Sequence, residues 1–229
     1  MSITQNEDSL YLRSNYAKYA GKFVPYAPET FKAFSEFNKL AMQEGSLSAR
    51  FKELIAIAVA HATGCPYCID IHVTTGHKLQ LTKEELFEAI AVSALVKGYS
   101  AFYHGINTLN ALQENPRDEL YSRSSLPLLE QFENINEQLY TSLLEFRHQV
   151  LQGQRVSRKE KAIIAVAISH ITDCPYSIEF STQLAKEEGA TIAEIAETVL
   201  VATALKAGSA LAHRINTYSA FVREDEKSQ

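Results

Sequence analysis

The chain has 229 residues, of which 46% are hydrophobic, and it carries a formal net charge of -5 with a pI near 5.8. The acidic balance disfavours a surface for nucleic acid or anionic membranes, because both need clustered lysine and arginine. The longest apolar run, Leu54 to Ala60, is far shorter than the roughly 20 residues that span a bilayer. With no secretory signal pattern at the N-terminus, we expect a cytoplasmic protein whose thiols stay reduced.

Residues 1–25 precede any helical pattern, and we expect them to form an N-terminal arm over the body of the protein or over a neighbour. The first helix is predicted from apolar residues three and four positions apart, at Phe31, Phe34, Phe37 and Ala41. Ser48 is a typical N-cap residue, and the alanine-, isoleucine- and valine-rich run after it is apolar on nearly every side. This second helix should therefore be buried, and Gly64 should end it.

A Cys-Pro turn at Cys65 predicts the start of a third helix, because proline is favoured in a first helical turn. The segment TKEE, from Thr82 to Glu85, matches a capping box and predicts the start of a fourth helix. A last helix is expected over roughly Tyr99 to Leu112. Alternating strand patterns and hairpin turn signals are nearly absent, so the sequence predicts an all-α fold.

The chain repeats itself at an offset of 109 residues, which aligns CPYC at residues 65–68 with CPYS at residues 174–177. The offset holds without a gap on both sides, which is typical of a tandem repeat. In the second copy the last helix is expected over Ser209 to Val222. The sequence thus predicts two helical units related by a pseudo-two-fold axis, with a first unit at 26–113, a linker at 114–127 and a second unit at 128–229.

The octapeptide CPYCIDIH places two thiols and an imidazole on one helix face. At about 100° per residue, Cys65, Cys68 and His72 fall within about 60° of one another. A helix N-terminus and a nearby imidazole both favour the thiolate form of cysteine, and two such thiols can form a disulfide with each other. In a reducing compartment, this pattern favours redox chemistry.

Two other interpretations of the cysteine pair stay open at this point. Free cysteine is among the most buried residue types, so the pair could be packed in the core. Two cysteines and a histidine could also bind zinc, but closed zinc sites generally have four ligands and the chain has no second C-x-x-C pair. We therefore predict neither a metal nor a cofactor.

Glu53 begins the apolar run of the second helix, and its counterpart in the second unit is Ala162. The position is therefore expected to face inward, where a carboxylate must be paired, hydrogen-bonded or raised in pKa and could act as a general base. The alternative is an exposed glutamate stabilised by the helix dipole. Lys52 and its counterpart Lys161 are charged in both units, and we expect them to face water.

The pattern E-x11-C-x-x-C-x3-H, formed by Glu53, Cys65, Cys68 and His72, resembles the alkylhydroperoxidase D and carboxymuconolactone decarboxylase family. The resemblance extends over both units. It implies that Glu53 and His72 form a proton relay, that Cys68 attacks a peroxide, and that Cys65 resolves the sulfenic acid to a disulfide. It also implies a homotrimer, with a homodimer as the alternative, because the family assembles six units into a ring-like body.

The second unit lacks most of this constellation, since the aligned positions hold Ala162, Cys174, Ser177 and Ser181. Cys174 has no neighbour for a local disulfide, so we expect this unit to act as a scaffold. Tyr67 is expected to be a packing residue that could also line the thiol pocket. Other polar residues occur in both units and are expected to be structural: His61 with His170, His104 with His213, and Asn107 with Asn216.

These observations predict a thiol-dependent hydroperoxide reductase or disulfide oxidoreductase. Its substrate would be a small hydroperoxide, and its electron donor a dithiol, a thioredoxin-like protein or a lipoyl group. Two alternatives remain. One is a non-enzymatic redox sensor or assembly protein that uses the same disulfide, and the other is a lactone decarboxylase of the wider family, which would not require the C-x-x-C pair.

Overall fold

The structure is a computed structural model that describes residue 16 and residues 19–112, 114–115 and 121–227, and all regular structure in those ranges is helical. The predicted all-α tandem repeat is confirmed. The first unit comprises a 3₁₀ turn at Val24–Tyr26, α1 (Pro28–Met42), α2 (Ala49–Thr63), α3 (Pro66–Lys78) and α4 (Lys83–Ala111). The second comprises a 3₁₀ helix at Arg123–Glu130, α5 (Gln131–Ile135), α6 (Glu137–Leu151), α7 (Arg158–Thr172), α8 (Pro175–Glu187), α9 (Ile192–Ala212) and α10 (Arg214–Lys227).

The helix ends follow from local sequence at the predicted positions. Before α2, Ser48 Oγ accepts a hydrogen bond from the Phe51 N–H at 3.2 Å. Gly64 ends the same helix in the left-handed conformation, with φ of 68°, which costs glycine little. At the start of α4, the Thr82 N–H donates to Glu85 Oε2 and the Glu85 N–H donates to Thr82 Oγ1, which are the two bonds of a capping box.

The prediction of a separate last helix in the first unit is wrong. Helix α4 continues unbroken to Ala111, so no new helix begins at Tyr99. Gly98 lies inside α4, but one internal glycine costs only about 1 kcal/mol relative to alanine. The packing of α4 along α7 of the other unit supports the helix across this point.

In the second unit a break is present, but it falls at His213 and not before Ser209. The reason lies at one backbone carbonyl. Leu211 O accepts hydrogen bonds from the His213 N–H and from Arg214 Nη1, the latter at 2.6 Å, so this carbonyl is occupied outside the regular helical ladder. Helix α10 then begins at Arg214.

In each unit, one long helix packs against the helices of the other unit. Helices α2 and α7 pack against each other at the centre. Helix α4 of the first unit packs on α6, α7 and α8 of the second, and α9 of the second unit packs on α1, α2 and α3 of the first. The pseudo-two-fold arrangement therefore joins the two units through one continuous hydrophobic core.

The expectation that Lys52 and Lys161 face water is wrong. Both are buried, at 3% and 2% exposure. Lys52 Nζ lies 2.9 Å from Glu197 Oε2, and Lys161 Nζ lies 2.8 Å from Glu88 Oε2, so each ion pair joins one unit to the other. Burial of these charges is possible because each ammonium has a carboxylate partner and also donates to a backbone carbonyl.

One helical stretch, Ile192–Glu224, is long and apolar enough to cross a membrane by length and composition alone. The count of consecutive apolar residues did not indicate this. Of its most apolar window, 33% is buried inside the bundle, and α9, which forms most of the stretch, packs against α1, α2, α3, α7 and α10. Most of the N-terminal arm and part of the linker lie outside the described residues.

Candidate active site

The beginning of α3 positions the two cysteines. Cys65 is the N-cap residue of α3, and its Sγ accepts a hydrogen bond from the Cys68 N–H at 3.3 Å. Pro66 follows at the first helical position, where no N–H is needed. Both cysteines are free thiols, and their sulfur atoms lie close enough for their side chains to share a hydrogen bond.

The cysteines lie in a small hydrophobic cluster at the meeting point of the two units. We call it the thiol cluster; its buried members are Ala60, Cys65, Tyr67, Cys68, Ala212 and Ile215. Cys65 is fully buried and Cys68 is 7% exposed. From the N-terminal arm, Tyr16, Tyr19 and Ala20 pack against the cluster, and the ring of Tyr16 lies 5.1 Å from that of Tyr67.

The surroundings of the two cysteines shift their pKa values in opposite directions. The hydrogen bond from the Cys68 thiol lowers the pKa of Cys65 most strongly, burial opposes it, and the Cys68 N–H and the charge of His213 add to the lowering, which brings the pKa to about 6. The same thiol–thiol bond, followed by burial, raises the pKa of Cys68. Both shifts favour Cys65 over Cys68 as the thiolate.

The assignment of peroxide attack to Cys68, implied by the family resemblance, stays a prediction. Proximity to the Cys68 proton and to a helix N-terminus favours Cys65 as the resting thiolate. Cys68 is the more exposed of the two sulfurs. The two properties that a nucleophile needs, charge and access, are therefore shared between the cysteines.

Glu53 and His72 join α2 to α3, the helix whose first turn holds Cys68. Glu53 Oε2 lies 2.8 Å from His72 Nδ1, and the two side chains are 12% and 14% exposed. The residue at the Glu53 position faces inward in both units, since Ala162 is fully buried, and this rules out the exposed-glutamate alternative. A carboxylate in this position fixes the orientation of the imidazole and can exchange a proton with it.

The second unit repeats the frame of the site with hydroxyl groups. The Ser177 N–H donates to Cys174 Sγ at 3.5 Å, as Cys68 does to Cys65. The hydroxyl of Ser177 lies 2.9 Å from that of Ser100, and the hydroxyl of Ser181 lies 2.9 Å from that of Ser169. These neutral groups leave a cavity of about 50 Å³ at this site, lined by residues that include Tyr99, Tyr103, Arg147, Ser177 and Ser181.

Sequence reasoning missed the contribution of the second unit to the cysteine site. The Tyr67 hydroxyl donates to Asn216 Oδ1 at 3.0 Å, and the ring of His213 contacts that of Tyr67 edge-on at 5.4 Å. The shared His-Asn pattern at an interval of three residues was the signal, but its presence in both units favoured a structural role. A structural role does describe His61 and His170, whose Nδ1 atoms bond to backbone carbonyls one turn earlier.

Among the described residues, no group of three or more histidine, cysteine, aspartate or glutamate side chains is arranged to hold a metal ion. Both cysteines are buried, as the alternative of a packed pair expects. Glu53 and His72 bring a titratable hydrogen bond to the helix that carries both thiols.

Comparison with known proteins gives two matches to one family model, described as the carboxymuconolactone decarboxylase family, over residues 28–111 and 137–216. An uncharacterized protein of the cox locus of Paracoccus denitrificans is 40% identical over 82 residues, which are 36% of this chain and 74% of that protein. An uncharacterized protein of Cupriavidus necator is 38% identical over 71 residues, 31% of this chain and 63% of its own length. The protein YdfG of Bacillus subtilis is 31% identical over 65 residues, 28% of this chain and 44% of its own length.

Proposed function

The chain belongs to the carboxymuconolactone decarboxylase family, with two tandem units, and within that family we propose that it is a thiol-dependent reductase of hydroperoxides. The observation that carries the proposal is the 2.8 Å contact between Glu53 and His72 on the two helices that frame the cysteine pair. An inert packed pair would have no use for a buried acid–base couple, whereas thiol chemistry requires groups that accept and return protons.

The proposed reaction begins with attack of a thiolate on the outer oxygen of a hydroperoxide. The O–O bond breaks, the sulfur is oxidised to a sulfenic acid, and the alkoxide leaves with a proton from the His72–Glu53 pair as the alcohol. The second cysteine then attacks the sulfenic sulfur and forms the Cys65–Cys68 disulfide, while the hydroxyl leaves as water. One hydroperoxide is reduced by two electrons, and two thiols are oxidised.

Turnover requires an external dithiol that reduces this disulfide by thiol–disulfide exchange. We propose a small dithiol, a thioredoxin-like protein or a lipoyl group as the donor, in the reducing environment of the cytoplasm. Cys68 is buried but is 7% exposed, whereas Cys65 is fully buried, so we propose that a donor thiolate reaches Cys68 first. The mixed disulfide would then form on Cys68, and Cys65, the better leaving group because of its lowered pKa, would leave as the thiolate.

The test is a thiol count before and after one equivalent of an organic hydroperoxide. Loss of two thiols per chain, with no crosslink between chains, is the expected result. A count that stays at three free thiols would contradict the proposal. The same reaction in Cys65→Ser and Cys68→Ser with a sulfenic acid trap identifies the attacking cysteine, since only the variant that keeps the attacker accumulates the trapped species.

Turnover distinguishes this function from the two alternatives. A redox sensor or assembly protein would form the same disulfide but would not consume hydroperoxide repeatedly in the presence of a dithiol. A lactone decarboxylase would act on a γ-carboxymuconolactone and would keep its activity after substitution of both Cys65 and Cys68.

A further inference from the structure

We propose that His213, contributed by the second unit, is a positioning residue for the Cys65 thiolate, so that both units together build the reactive site. The inference deepens the proposed thiol function and rests on it for its use in catalysis. It also gives the second unit a role beyond that of a scaffold, because it retains a side chain on which the first unit depends.

The crossing of α9 over the first unit brings this histidine to the cysteines. Ala212 and Ile215, which flank His213, are buried members of the thiol cluster at 5% and 0% exposure. The His213 ring contacts Tyr67, which lies between Cys65 and Cys68 in sequence. The helix break at His213 allows the chain to turn here while both of its sides pack on the same cluster.

A chain of hydrogen bonds fixes the histidine ring. The Tyr67 O–H donates to Asn216 Oδ1 at 3.0 Å, so the amide NH₂ of Asn216 faces the other way. That NH₂ lies 3.3 Å from His213 Nδ1, which must accept from it. In the neutral ring the proton is therefore on Nε2.

The placement of His213 near Cys65 acts through the charge of the histidine. A protonated histidine beside a thiolate favours the ionised sulfur, and the charge of His213 contributes to the lowered pKa of Cys65. Among the described residues, the other titratable or charged side chains at the cluster are Cys68, Tyr16, Tyr19, Tyr67 and Arg214, and Glu53 and His72 lie on the two helices that carry it. Arg214 directs its guanidinium to the carbonyls of Ala20 and Leu211, so its hydrogen bonds serve the backbone and not the thiols.

The pseudo-symmetric site around Cys174 offers a matched control, in which the equivalent histidine, His104 of the first unit, faces no reactive cysteine pair. His104 contacts Tyr176 edge-on at 6.0 Å, and Asn107 Nδ2 lies 3.3 Å from His104 Nδ1. The neighbouring thiol there is Cys174, whose partner position is a serine. If these histidines were needed only for packing, substitution of either would have the same consequence.

The experiment measures the rate of alkylation of Cys65 by iodoacetamide as a function of pH, resolved by peptide mass spectrometry, in the full chain. The variants are His213→Gln and the control His104→Gln. We expect half-maximal alkylation near pH 6 in the unsubstituted protein and in His104→Gln. In His213→Gln the midpoint should rise; a rise of about one pKa unit lowers the rate about tenfold at pH values below the pKa.

A second pair of variants, Tyr67→Phe and Tyr176→Phe, guards against a failure of the histidine variants to fold. Tyr67→Phe keeps the ring but removes the donor to Asn216, so the amide no longer fixes the orientation of the His213 ring and the Cys65 profile should shift. Tyr176→Phe should leave the profile unchanged, because that hydroxyl accepts a hydrogen bond from the Ser122 N–H instead.

An unchanged Cys65 profile in His213→Gln, or equal shifts in His213→Gln and His104→Gln, would overturn the inference. Because alkylation needs no peroxide, the result is separate from the proposed function. A shift specific to His213→Gln in a protein that does not consume hydroperoxide would support the composite site and contradict the reductase.

Discussion

Glu53 and His72 are the side chains on which the proposed proton transfer depends. Glu53→Gln keeps the size of the side chain but removes the base, so the fold should be retained. We expect the rate of hydroperoxide consumption to fall by about 10²- to 10⁴-fold, which is the usual contribution of a positioned general base. The measurement is consumption of an organic hydroperoxide with an excess of dithiol, with circular dichroism as the check of folding.

His72→Asn provides the companion measurement. If the two residues act as one unit, the double variant should be little slower than either single variant. Effects that multiply fully would mean that Glu53 and His72 act independently. If Glu53→Gln consumes hydroperoxide at the full rate, the carboxylate serves only as a structural partner of the imidazole.

Cys174 is buried like Cys65, and it is the N-cap of α8 as Cys65 is of α3. It has no second sulfur, since Ser177 occupies the position that corresponds to Cys68. Cys174→Ser should therefore leave hydroperoxide-dependent formation of the Cys65–Cys68 disulfide almost unchanged. The check is a thiol count by peptide mass spectrometry, and loss of disulfide formation in this variant would contradict the expectation that Cys174 takes no part in the reaction.

At the scale of the helices, the two buried ion pairs join α2 to α9 and α7 to α4. Lys52→Met fits the apolar surroundings but leaves Glu197 without its cation. Removal of one partner of a buried pair typically costs about 3–5 kcal/mol, and we expect a loss of that size in the free energy of unfolding. Denaturant titration gives the value.

The matched control for this prediction is Lys39→Met. Lys39 lies 3.9 Å from Glu36 on α1, and both side chains are mostly exposed. Exposed pairs contribute at most about 1 kcal/mol, so this variant should be close to the unsubstituted protein in stability. Similar losses of unfolding free energy in Lys52→Met and Lys39→Met would show that the Lys52–Glu197 pair stabilises the fold no more than an exposed pair does.

The same ion pair predicts how stability depends on pH. Burial raises the pKa of Glu197, but hydrogen bonds from the Ser46 and Leu47 N–H groups and from Lys52 outweigh it and hold the pKa at about 2. The unfolded chain has an ordinary glutamate pKa of about 4.3, so the contribution is complete above that pH and is lost as the pH falls towards about 2.

Denaturant midpoints of the unsubstituted protein and of Glu197→Gln, measured from neutral pH into this acid range, test the linkage. The unsubstituted protein should be the more stable at neutral pH, and the difference should shrink as Glu197 becomes protonated. A difference that does not change with pH would assign the effect to hydrogen bonding alone.

At the scale of the whole molecule, we expect a homotrimer, with a homodimer as the alternative. Large apolar side chains are exposed on the long helices that join the units, including Phe87 on α4 and Ile192 and Leu200 on α9. Association would bury them. Light scattering should return about three times the chain mass of 25.5 kDa, and a value near the mass of one chain at micromolar concentration would contradict association.

The sequence by itself determined the all-α fold, the repeat and most helix starts, and it placed Cys65, Cys68 and His72 at the start of one helix. Helix starts at Ser48 and Thr82 depend on side chains within three residues of the backbone groups that they satisfy, so local sequence contains the whole interaction. The inward position of Glu53 was also readable, because the repeat supplies a second residue, Ala162, at the same place. The continuation of α4 past Tyr99 could not be predicted from the sequence, because packing on the other unit outweighs the helix-destabilising effect of Gly98.

Only the tertiary structure decided what the two units do for each other. Lys52 was expected to face water because the position is charged in both units. Its carboxylate partner, Glu197, lies in the other unit and reaches it only when α9 crosses the first unit. His213 and Asn216 reach the thiol cluster by the same crossing, and the bond from Tyr67 to Asn216 spans 149 positions of the chain. No local pattern encodes such contacts, because they depend on how whole helices pack and not on the residues next to each group.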